Sequence, residues 1–283
     1  MAVFTTSTPP DNSSAAAFRI WTKSISDTIV AGGWLMTSDT GQINFTTVTA
    51  PGVVNTSAGY NIFKMNDSLQ ATAPCYLKLE YGCGASTTYP AIWVSVGTGT
   101  DGAGNLTGFL GVRAQVYYQG NSISYFTSRY SIDTNRLTVA LWAQQAYGFF
   151  FCVERMHDST GADTNLGILY ATANTAGAGY SGAVYTTGPN TSYMSGWNVV
   201  LPTTVTSMAF GSTVYLTPVR TIGLGETSPF LGMSVYYNPD LTAFNPILTK
   251  IWDGNNRYVL PMWIPNGTAT TSGASGAIAM RYD

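Results

Sequence analysis

The side chains that most often carry catalysis are scarce in this sequence. Its single histidine, His157, stands next to Asp158, and a Ser-His-Asp hydrolase would have to use that histidine. Neighbouring residues of a strand point to opposite faces, and no Gly-x-Ser-x-Gly elbow accompanies the pair. We therefore interpret His157 as a turn residue and not as a catalytic base.

The carboxylates form no pattern that is typical of an enzyme. A glycosidase needs two carboxylates that face each other across the scissile bond. The only glutamates are Glu80, Glu154 and Glu226, and most aspartates lie in turn-like contexts that favour Asp for conformational reasons. Polysaccharide depolymerase activity and calcium binding by Asp158 and Asp163 are alternatives, although that spacing fits no EF-hand loop. The sequence predicts a protein that is not an enzyme.

The cysteines and the N-terminus indicate where the chain is made. Cys75, Cys83 and Cys152 are odd in number and lack Cys-x-x-Cys spacing, which favours free buried thiols over a disulfide or a zinc site. The first residues lack the basic and apolar regions of a signal peptide, and no apolar stretch reaches the ~18 residues of a membrane span. We predict synthesis in a reducing cytoplasm, no membrane insertion, and no metal or cofactor.

Residues 97–102 match the letters of the G-x-G-x-x-G fingerprint of dinucleotide-binding proteins. That fingerprint binds pyrophosphate only where it leaves a strand and opens a helix. A strand pattern does precede it here, but small and turn-forming residues follow, and then another strand. The pattern therefore predicts a hairpin, with a nucleotide site as the alternative.

The overall composition favours burial in an assembly. Charged residues make up 9% of the chain, against about a quarter in a typical globular protein, whereas aromatic residues make up 13%. The balance of 12 basic and 14 acidic residues excludes binding to nucleic acid by broad electrostatic attraction. Adjacent aromatic residues could serve as core pairs, as a subunit interface or as a platform for a glycan. They are Tyr117-Tyr118, Tyr125-Phe126, Phe149-Phe150-Phe151 and Tyr236-Tyr237.

One helix is predicted near the N-terminus, after an extended arm. Residues 1–12 form the arm, since Pro9-Pro10 cannot continue a helix. Residues 13–30 show helical spacing, Ser13 or Ser14 can cap the first amides, and Gly32-Gly33 can close the last turn.

The apolar residues of this helix are the candidate functional residues of the chain. Phe18, Trp21, Ile25 and Ile29 are three or four residues apart and share one face. Two interpretations are open: an amphipathic helix packed on the chain's own β domain, or a docking helix that packs on a neighbouring subunit. On the second interpretation, residues 1–33 form an arm and docking helix, and the four apolar residues are the candidate interface.

The remainder, residues 34–283, reads as one all-β domain with long surface loops. Short segments of period-two alternation, separated by Gly, Asn, Asp and Pro turns, predict an antiparallel β-sandwich of jelly-roll type. Two small-residue stretches, 171–182 and 268–276, are predicted as long loops. The predicted strands are 43–48, 60–65, 76–81, 92–96, 109–118, 122–130, 136–142, 149–154, 167–171, 183–186, 213–222, 231–237 and 258–264.

Several strings in the first part of the chain resemble a known family. They are Phe18-Arg19-Ile20-Trp21, Ile25-Ser26-Asp27, Gly33-Trp34-Leu35, residues 38–43, Ala58-Gly59-Tyr60, residues 66–70, residues 74–82 and residues 94–108. Together they resemble the start of a family of virion structural proteins of tailed bacteriophages. The strings are not catalytic signatures, so the resemblance transfers no active-site residue.

The resemblance implies a structural component of the virion, located in the tail, the baseplate or fibres attached to it. It implies assembly with copies of itself, as a ring or trimer, and with other virion proteins. Two alternatives are open: a capsid decoration or head-fibre protein, and a receptor-binding module that grips host surface glycans through exposed Trp and Tyr.

Overall fold

The structure of the 283-residue chain is a computed structural model. It describes residues 3–7, 13–108, 113–118, 125–130, 139–144, 149–156, 165–173, 180–187, 198–200, 215–223, 226–238, 250–252, 257–264 and 275–281. Within these ranges, side chains are described for residues 13–108, 113 and 153–155. His157, Asp158 and Asp163 lie outside the described residues.

An α-helix and eight strands occupy the N-terminal part of the described chain, with a short 3-10 helix at Ser68–Ala71. In chain order they are β1 Val3–Ser7, α1 Ala15–Ala31, β2 Leu35–Met36, β3 Thr56–Lys64, β4 Tyr76–Cys83, β5 Pro90–Gly97, β6 Gly99–Thr100, β7 Leu106–Thr107 and β8 Ala114–Tyr118.

Eleven further strands follow in the described residues. They are β9 Tyr125–Tyr130, β10 Val139–Gln144, β11 Phe149–Met156, β12 Asn165–Ala173, β13 Tyr180–Thr187, β14 Asn198–Val200, β15 Tyr215–Gly223, β16 Glu226–Asn238, β17 Lys250–Trp252, β18 Arg257–Ile264 and β19 Ser275–Arg281.

The described strands form three larger antiparallel sheets and a hairpin. The five-stranded sheet has the order β2-β3-β4-β5-β8, and β6 pairs with β7. The first six-stranded sheet has the order β1-β9-β10-β11-β12-β13, and the second has the order β14-β15-β16-β19-β18-β17. Consecutive strands mostly pair within one sheet, as in successive hairpins. In the second six-stranded sheet β16 pairs with β19, so the run β16-β19-β18-β17 has the order of a Greek key.

The predicted helix is confirmed, together with both of its ends. The amide of Ala17 donates a hydrogen bond to Ser14 Oγ at 3.2 Å, and Ser14 has the extended backbone of an N-cap. At the other end Gly33 has a φ of +94°, a conformation that glycine adopts without the strain imposed by a Cβ atom.

Two predicted strands of the five-stranded sheet differ in whether sequence alternation matches the burial of their side chains. In β4, Leu77, Leu79 and Tyr81 are buried and alternate with less buried residues, as predicted. The predicted strand 92–96 lies within β5, but its alternation does not separate a buried face from an exposed one, because all residues of β5 are buried. That strand lies inside the sheet between β4 and β8, and the guanidinium of Arg113 covers the ring of Trp93 at 4.2 Å.

The predicted strand 43–48 is wrong, because a side chain captures the backbone there. Asn44 Oδ1 accepts hydrogen bonds from the amide of Thr46 at 2.9 Å and from its hydroxyl, and the amide of Val48 donates to Asn44 O. Asn favours such turns for this reason. Ile43 alone bonds to the sheet, through its amide to Tyr60 O.

Three segments outside the predicted strands contain strands. Part of the arm is β1, which pairs with β9. Both ends of the predicted loop 171–182 belong to the paired strands β12 and β13, in which Ala173 lies opposite Tyr180. Ser275 and Gly276, at the end of the predicted loop 268–276, begin β19. Small residues favour loops, which is why the two small-residue stretches are predicted as loops. Backbone pairing in a ladder, however, does not depend on side-chain size.

The core of the described N-terminal part lies between α1 and the five-stranded sheet. Apolar residues from the helix, from β3 to β5 and from β11 contribute to it. None of the described helices has the length and apolarity needed to cross a membrane. The largest fully buried apolar side chains in this region are Trp34, Tyr81, Phe18, Phe63 and Ile25.

Candidate assembly interface

The candidate interface residues of α1 lie in the core of their own chain. Phe18, Trp21, Ile25 and Ile29 are between 0% and 3% exposed. Their spacing places them on one face of the helix, and this face packs on the five-stranded sheet. The residues that share the core with them are Trp34, Phe63, Met65, Cys75, Leu77, Leu79, Tyr81, Ile92, Val94, Val96 and Val153.

This packing agrees with the first interpretation of the helix, that of an amphipathic helix on its own β domain. A neighbouring subunit cannot reach side chains that are already enclosed by the sheet. The docking interpretation used the same four residues, so the structure gives it no free surface on that face. Any contact that α1 makes with another subunit has to use its outer face.

The outer face of α1 is mixed in character. Ile20 is 71% exposed and Val30 is 43% exposed, and the exposed ion pair between Lys23 and Asp27 lies between them along the helix. Arg19 holds the helix to the neighbouring turn, since its Nη1 donates to Thr46 O at 2.6 Å. Isolated exposed apolar residues are normal on protein surfaces, so this face alone does not identify an interface.

A second set of exposed apolar residues lies outside the helix. Leu35 and Met36 form the edge strand β2 and are each about two-fifths exposed, and Val53 and Val54 lie in the loop before β3. The base of this loop is fixed, because Cys83 Sγ donates to Val53 O and the amide of Asn55 donates to Gly84 O. The loop therefore presents its two valines from an ordered base.

Strand β11 is buried on both faces at residues 153–155, the part of it whose side chains are described. Val153, Glu154 and Arg155 are consecutive, so their side chains alternate between the two faces, and all three are 0% exposed. Val153 contributes to the core beneath α1. Arg155 Nε and Nη2 donate to the two carboxylate oxygens of Asp67 at 2.8 and 3.1 Å, and Nη1 donates to Ala73 O at 2.6 Å. A bidentate buried ion pair therefore joins β11 to the segment before β4.

The partner of Arg155 could not be found from the sequence. Asp67 precedes the short 3-10 helix at its N-cap position, where an aspartate normally caps the free amides. Its side chain makes no such bond, because both oxygens accept from Arg155, 88 residues away. The local sequence indicates that Asp67 is a turn residue, and only the tertiary structure shows that it binds Arg155.

The hairpin prediction for residues 97–102 is confirmed, and the nucleotide-site alternative is wrong. The glycines lead from β5 into β6, and the chain returns in β7 without a helix over residues 97–108. Asp101 fixes the turn, since its Oδ1 accepts from the amides of Ala103 and Asn105 at 2.8 and 3.0 Å. The side chain and amide of Asn105 thereby lower the pKa of Asp101. The turn amides are thus occupied by a carboxylate of the chain itself.

A second carboxylate, Asp39, ties this hairpin to the loop after β2. Its Oδ1 accepts from Thr100 Oγ1 and from the amide of Gly104. Burial acts to raise the pKa of Asp39, but the hydrogen bonds outweigh it, led by that of Thr100, and the pKa is lowered. Gly104 has a φ of +95°, and a Cβ atom there would collide with the Tyr60 hydroxyl. The arrangement therefore fixes a loop and leaves no obvious cradle for a ligand.

The thiol prediction is confirmed for the two cysteines whose side chains are described. Cys75 and Cys83 are free and buried. Burial raises the pKa of Cys75 to about 12, so its thiol stays protonated and unreactive at neutral pH. Over the part of the chain with described side chains, His, Cys, Asp and Glu form no cluster of three or more that could hold a metal ion.

The described tryptophans do not form a glycan platform. Trp21, Trp34 and Trp93 are at most 5% exposed. The adjacent aromatic residues, for which core, interface and glycan-binding roles are open, lie outside the described side chains. Comparison of this chain with family models, with curated proteins and with solved structures gave no match.

Proposed function

We propose that this chain is a structural component of a tailed-phage virion that functions by assembly with copies of itself and with other virion proteins. It is synthesised in the cytoplasm of the bacterial host and is then incorporated into the particle. Its place is in the tail, the baseplate or a fibre-associated complex, with the capsid surface as the alternative. The resemblance of the first 108 residues to such proteins supports this proposal, and one structural observation carries it.

That observation is the near absence of charge from the first six-stranded sheet. The strands β1 and β9 to β13 contain only Arg129, Glu154 and Arg155 as charged residues. Glu154 and Arg155 are fully buried, which leaves Arg129 as the one charge of these strands that can face solvent. An antiparallel sheet with one solvated face normally alternates apolar and polar or charged residues. A sheet this poor in charge is suited to be covered on both faces.

The rest of the chain is similarly poor in charge, with 9% charged residues overall, so burial of its outer surface against another subunit carries little electrostatic penalty. Charged side chains lose several kcal/mol each when they are desolvated without good partners, whereas hydroxyl and aromatic groups lose far less. Interface cores are accordingly depleted in charge and enriched in aromatic residues. Most assemblies of identical chains are closed and symmetric, which supports a ring or a trimer.

The finer architecture that we propose is a β-sandwich made of the two six-stranded sheets. Strand β10 approaches β18 and β11 approaches β16, so the middle strands of the two sheets lie against each other. The side chain of Glu154 lies on the face of β11 opposite Val153 and Arg155, which contact the helix and the segment before β4. On this proposal the helix and the five-stranded sheet cover the other side of the sandwich.

The test is the composition of the purified particle. We expect mass spectrometry of washed virions to detect this chain, and cryo-electron microscopy to show it in a symmetric complex. A few to a few dozen copies would place it in the tail region, and hundreds would place it on the capsid.

The control is recombinant tagged chain added to the lysate after cell opening and carried through the same purification. The tagged chain should be lost while the native chain remains. Absence of the native chain from virions, or equal retention of the two, would overturn the proposal.

A further inference from the structure

The N-terminal arm covers a sheet edge that would otherwise be open. Strand β1 is the first strand of the first six-stranded sheet and pairs only with β9, from Val3 opposite Tyr130 to Ser7 opposite Phe126. The other side of β9 pairs with β10. Without β1, strand β9 would present a row of unpaired N–H and C=O groups, which is a template for pairing with another chain.

The two strands offer little charge to protect this edge. Strand β1 reads Val-Phe-Thr-Thr-Ser, and β9 contains one charged residue, Arg129. Natural sheet edges are commonly blunted by lysines, prolines or inward-pointing charges. Here the arm itself covers the edge of β9.

The arm is joined to a firmly anchored helix by a short segment. Residues 8–12 lie between Ser7, the last residue of β1, and residue 13, just before the helix. They include Pro9-Pro10. At ~3.4 Å per residue, such a segment spans at most about 17 Å. The helix beyond it is held in the core through Phe18 and Trp21. Short hinges leave a terminal element little room to fold back onto its own chain, which favours its exchange between copies.

Exchange preserves all the interactions of the arm. The arm pairs with β9 through a backbone ladder and also lies against α1, and an identical chain offers the same ladder in the same register and the same helix. Exchange of an identical element is for this reason a route to oligomers that needs little new surface. Addition of an extended strand to a sheet edge also gives affinity through main-chain hydrogen bonds alone.

We propose that in the assembly the arm of one copy, residues 3–7, pairs with β9 of a second copy and completes its six-stranded sheet. The partner at this edge is therefore another copy of this chain. The inference rests on the proposed function only in requiring that copies assemble. It adds which segment crosses between them and which strand receives it.

Disulfide trapping tests the exchange directly. Thr5 lies opposite Ser128 in the ladder, and the Cα atoms of directly opposed antiparallel residues are 4.5–5.5 Å apart, within reach of a disulfide. One chain carries Thr5→Cys and a second, longer tagged chain carries Ser128→Cys, and the two are co-expressed and oxidised. Exchange predicts a covalent heterodimer on a non-reducing gel. Val3→Cys with Ser128→Cys is the matched control, because this pair is out of register and should not cross-link.

The doubly substituted chain, Thr5→Cys with Ser128→Cys, gives the opposite readout. Exchange predicts covalent dimers or larger species, whereas an arm that stays in its own chain gives only monomers with an internal disulfide. Light scattering on the unmodified chain separates the two proposals. An oligomer with only internal disulfides overturns the exchange and leaves the assembly role intact. A monomer with only internal disulfides also overturns the exchange, and the virion composition then decides the assembly role.

A proline scan of the arm tests the same proposal without cysteines. Successive residues of a strand direct their amides to opposite sides, so either Thr5 or Thr6 donates toward β9. Of Thr5→Pro and Thr6→Pro, made separately, one should lower the mass of the oligomer, and the other should leave it nearly unchanged. If neither changes the oligomer, the arm does not hold it together.

Discussion

Two of the contacts that attach other elements to the five-stranded sheet differ in chemistry. The helix α1 packs on it through an apolar face whose four central residues are at most 3% exposed. Strand β11 reaches the segment beside the same sheet through the buried ion pair of Arg155 with Asp67, and also contributes Val153 to the core. The first contact spreads over many side chains, and the second concentrates on a few hydrogen bonds with fixed geometry.

The difference concerns what each contact specifies. An apolar face stabilises in proportion to the area it buries and tolerates changes that conserve volume. A buried ion pair adds little net stability over an apolar replacement. Loss of one partner, however, strongly destabilises the folded protein, because the other charge stays buried without compensation. We infer that the helix contact provides stability, and that the Arg155 contact fixes where β11 lies.

The largest expected effect follows from removing the helix. Deleting residues 1–33 uncovers Trp34, Phe63 and Leu77, which α1 encloses. We expect the truncated chain to aggregate, because a large contiguous apolar surface becomes exposed. The soluble fraction after expression and light scattering measure this outcome. A soluble, folded truncated chain would show that the helix is a docking device after all.

A substitution experiment in the full-length chain controls for the length of that deletion. Replacing Phe18, Trp21, Ile25 and Ile29 by serine should reproduce the aggregation. Replacing four outer residues of the same helix by serine keeps the number of substitutions and the helix propensity similar. The soluble fraction should then be retained. The outer residues are Ala16, Ile20, Lys23 and Asp27.

Breaking the ion pair on one side is the next largest expected effect. Arg155→Ala leaves the Asp67 carboxylate buried without its guanidinium, and loss of one partner of a buried pair costs about 3–5 kcal/mol. Urea unfolding measures this loss as a lower midpoint. The paired replacement Asp67→Leu with Arg155→Met should recover most of it, because an apolar pair of similar volume leaves no unpaired charge. A loss below about 1 kcal/mol for Arg155→Ala would contradict the assigned role.

Substitutions on the two faces of α1 measure how much stability the apolar contact with the sheet provides. Ile25→Ala removes a side chain that is 1% exposed and should lower the free energy of unfolding by about 2–5 kcal/mol. Ile20→Ala makes the same chemical change at a position 71% exposed, and we expect a change within about 0.5 kcal/mol. Equal effects at the two positions would mean that α1 is oriented differently from the structure.

Much of the fold was predictable from local patterns, and the exceptions have physical causes. Spacing of three and four residues identified the helix with its apolar face, and alternation identified β4. Alternation cannot show that a strand is buried on both faces, as β5 is, nor identify a turn that a side chain imposes, as Asn44 does. Loop composition also hid β19, which is a strand because its backbone pairs with β16 and β18.

The residues of the candidate site could be predicted from the sequence, but their contact partners could not. Phe18 and Trp21 were identified as one face from the sequence, but the sequence left open whether that face packs in its own chain. The use of Asp67 depends on an arginine 88 residues away, and no local signal reports such a partner. The Asp39 contact to the β6–β7 hairpin has the same cause, since its donors lie more than 60 residues away.

The smallest expected effect compares two buried carboxylates, one with a cationic partner and one with neutral donors. Asp39→Asn keeps the shape but weakens the bonds from Thr100 and Gly104, with an expected loss of about 1 kcal/mol at pH 6. Because folding lowers the pKa of Asp39 below 3.8, its ionised form stabilises the fold above that pH, and the contribution is lost as the pH falls through the folded value. The difference between the native chain and Asp39→Asn in urea should therefore stay constant from pH 7 to pH 5 and shrink below about pH 4. Thr100→Val should give a loss of the same sign that also shrinks on acidification. A difference independent of pH would show that the charge of Asp39 contributes nothing to holding the hairpin.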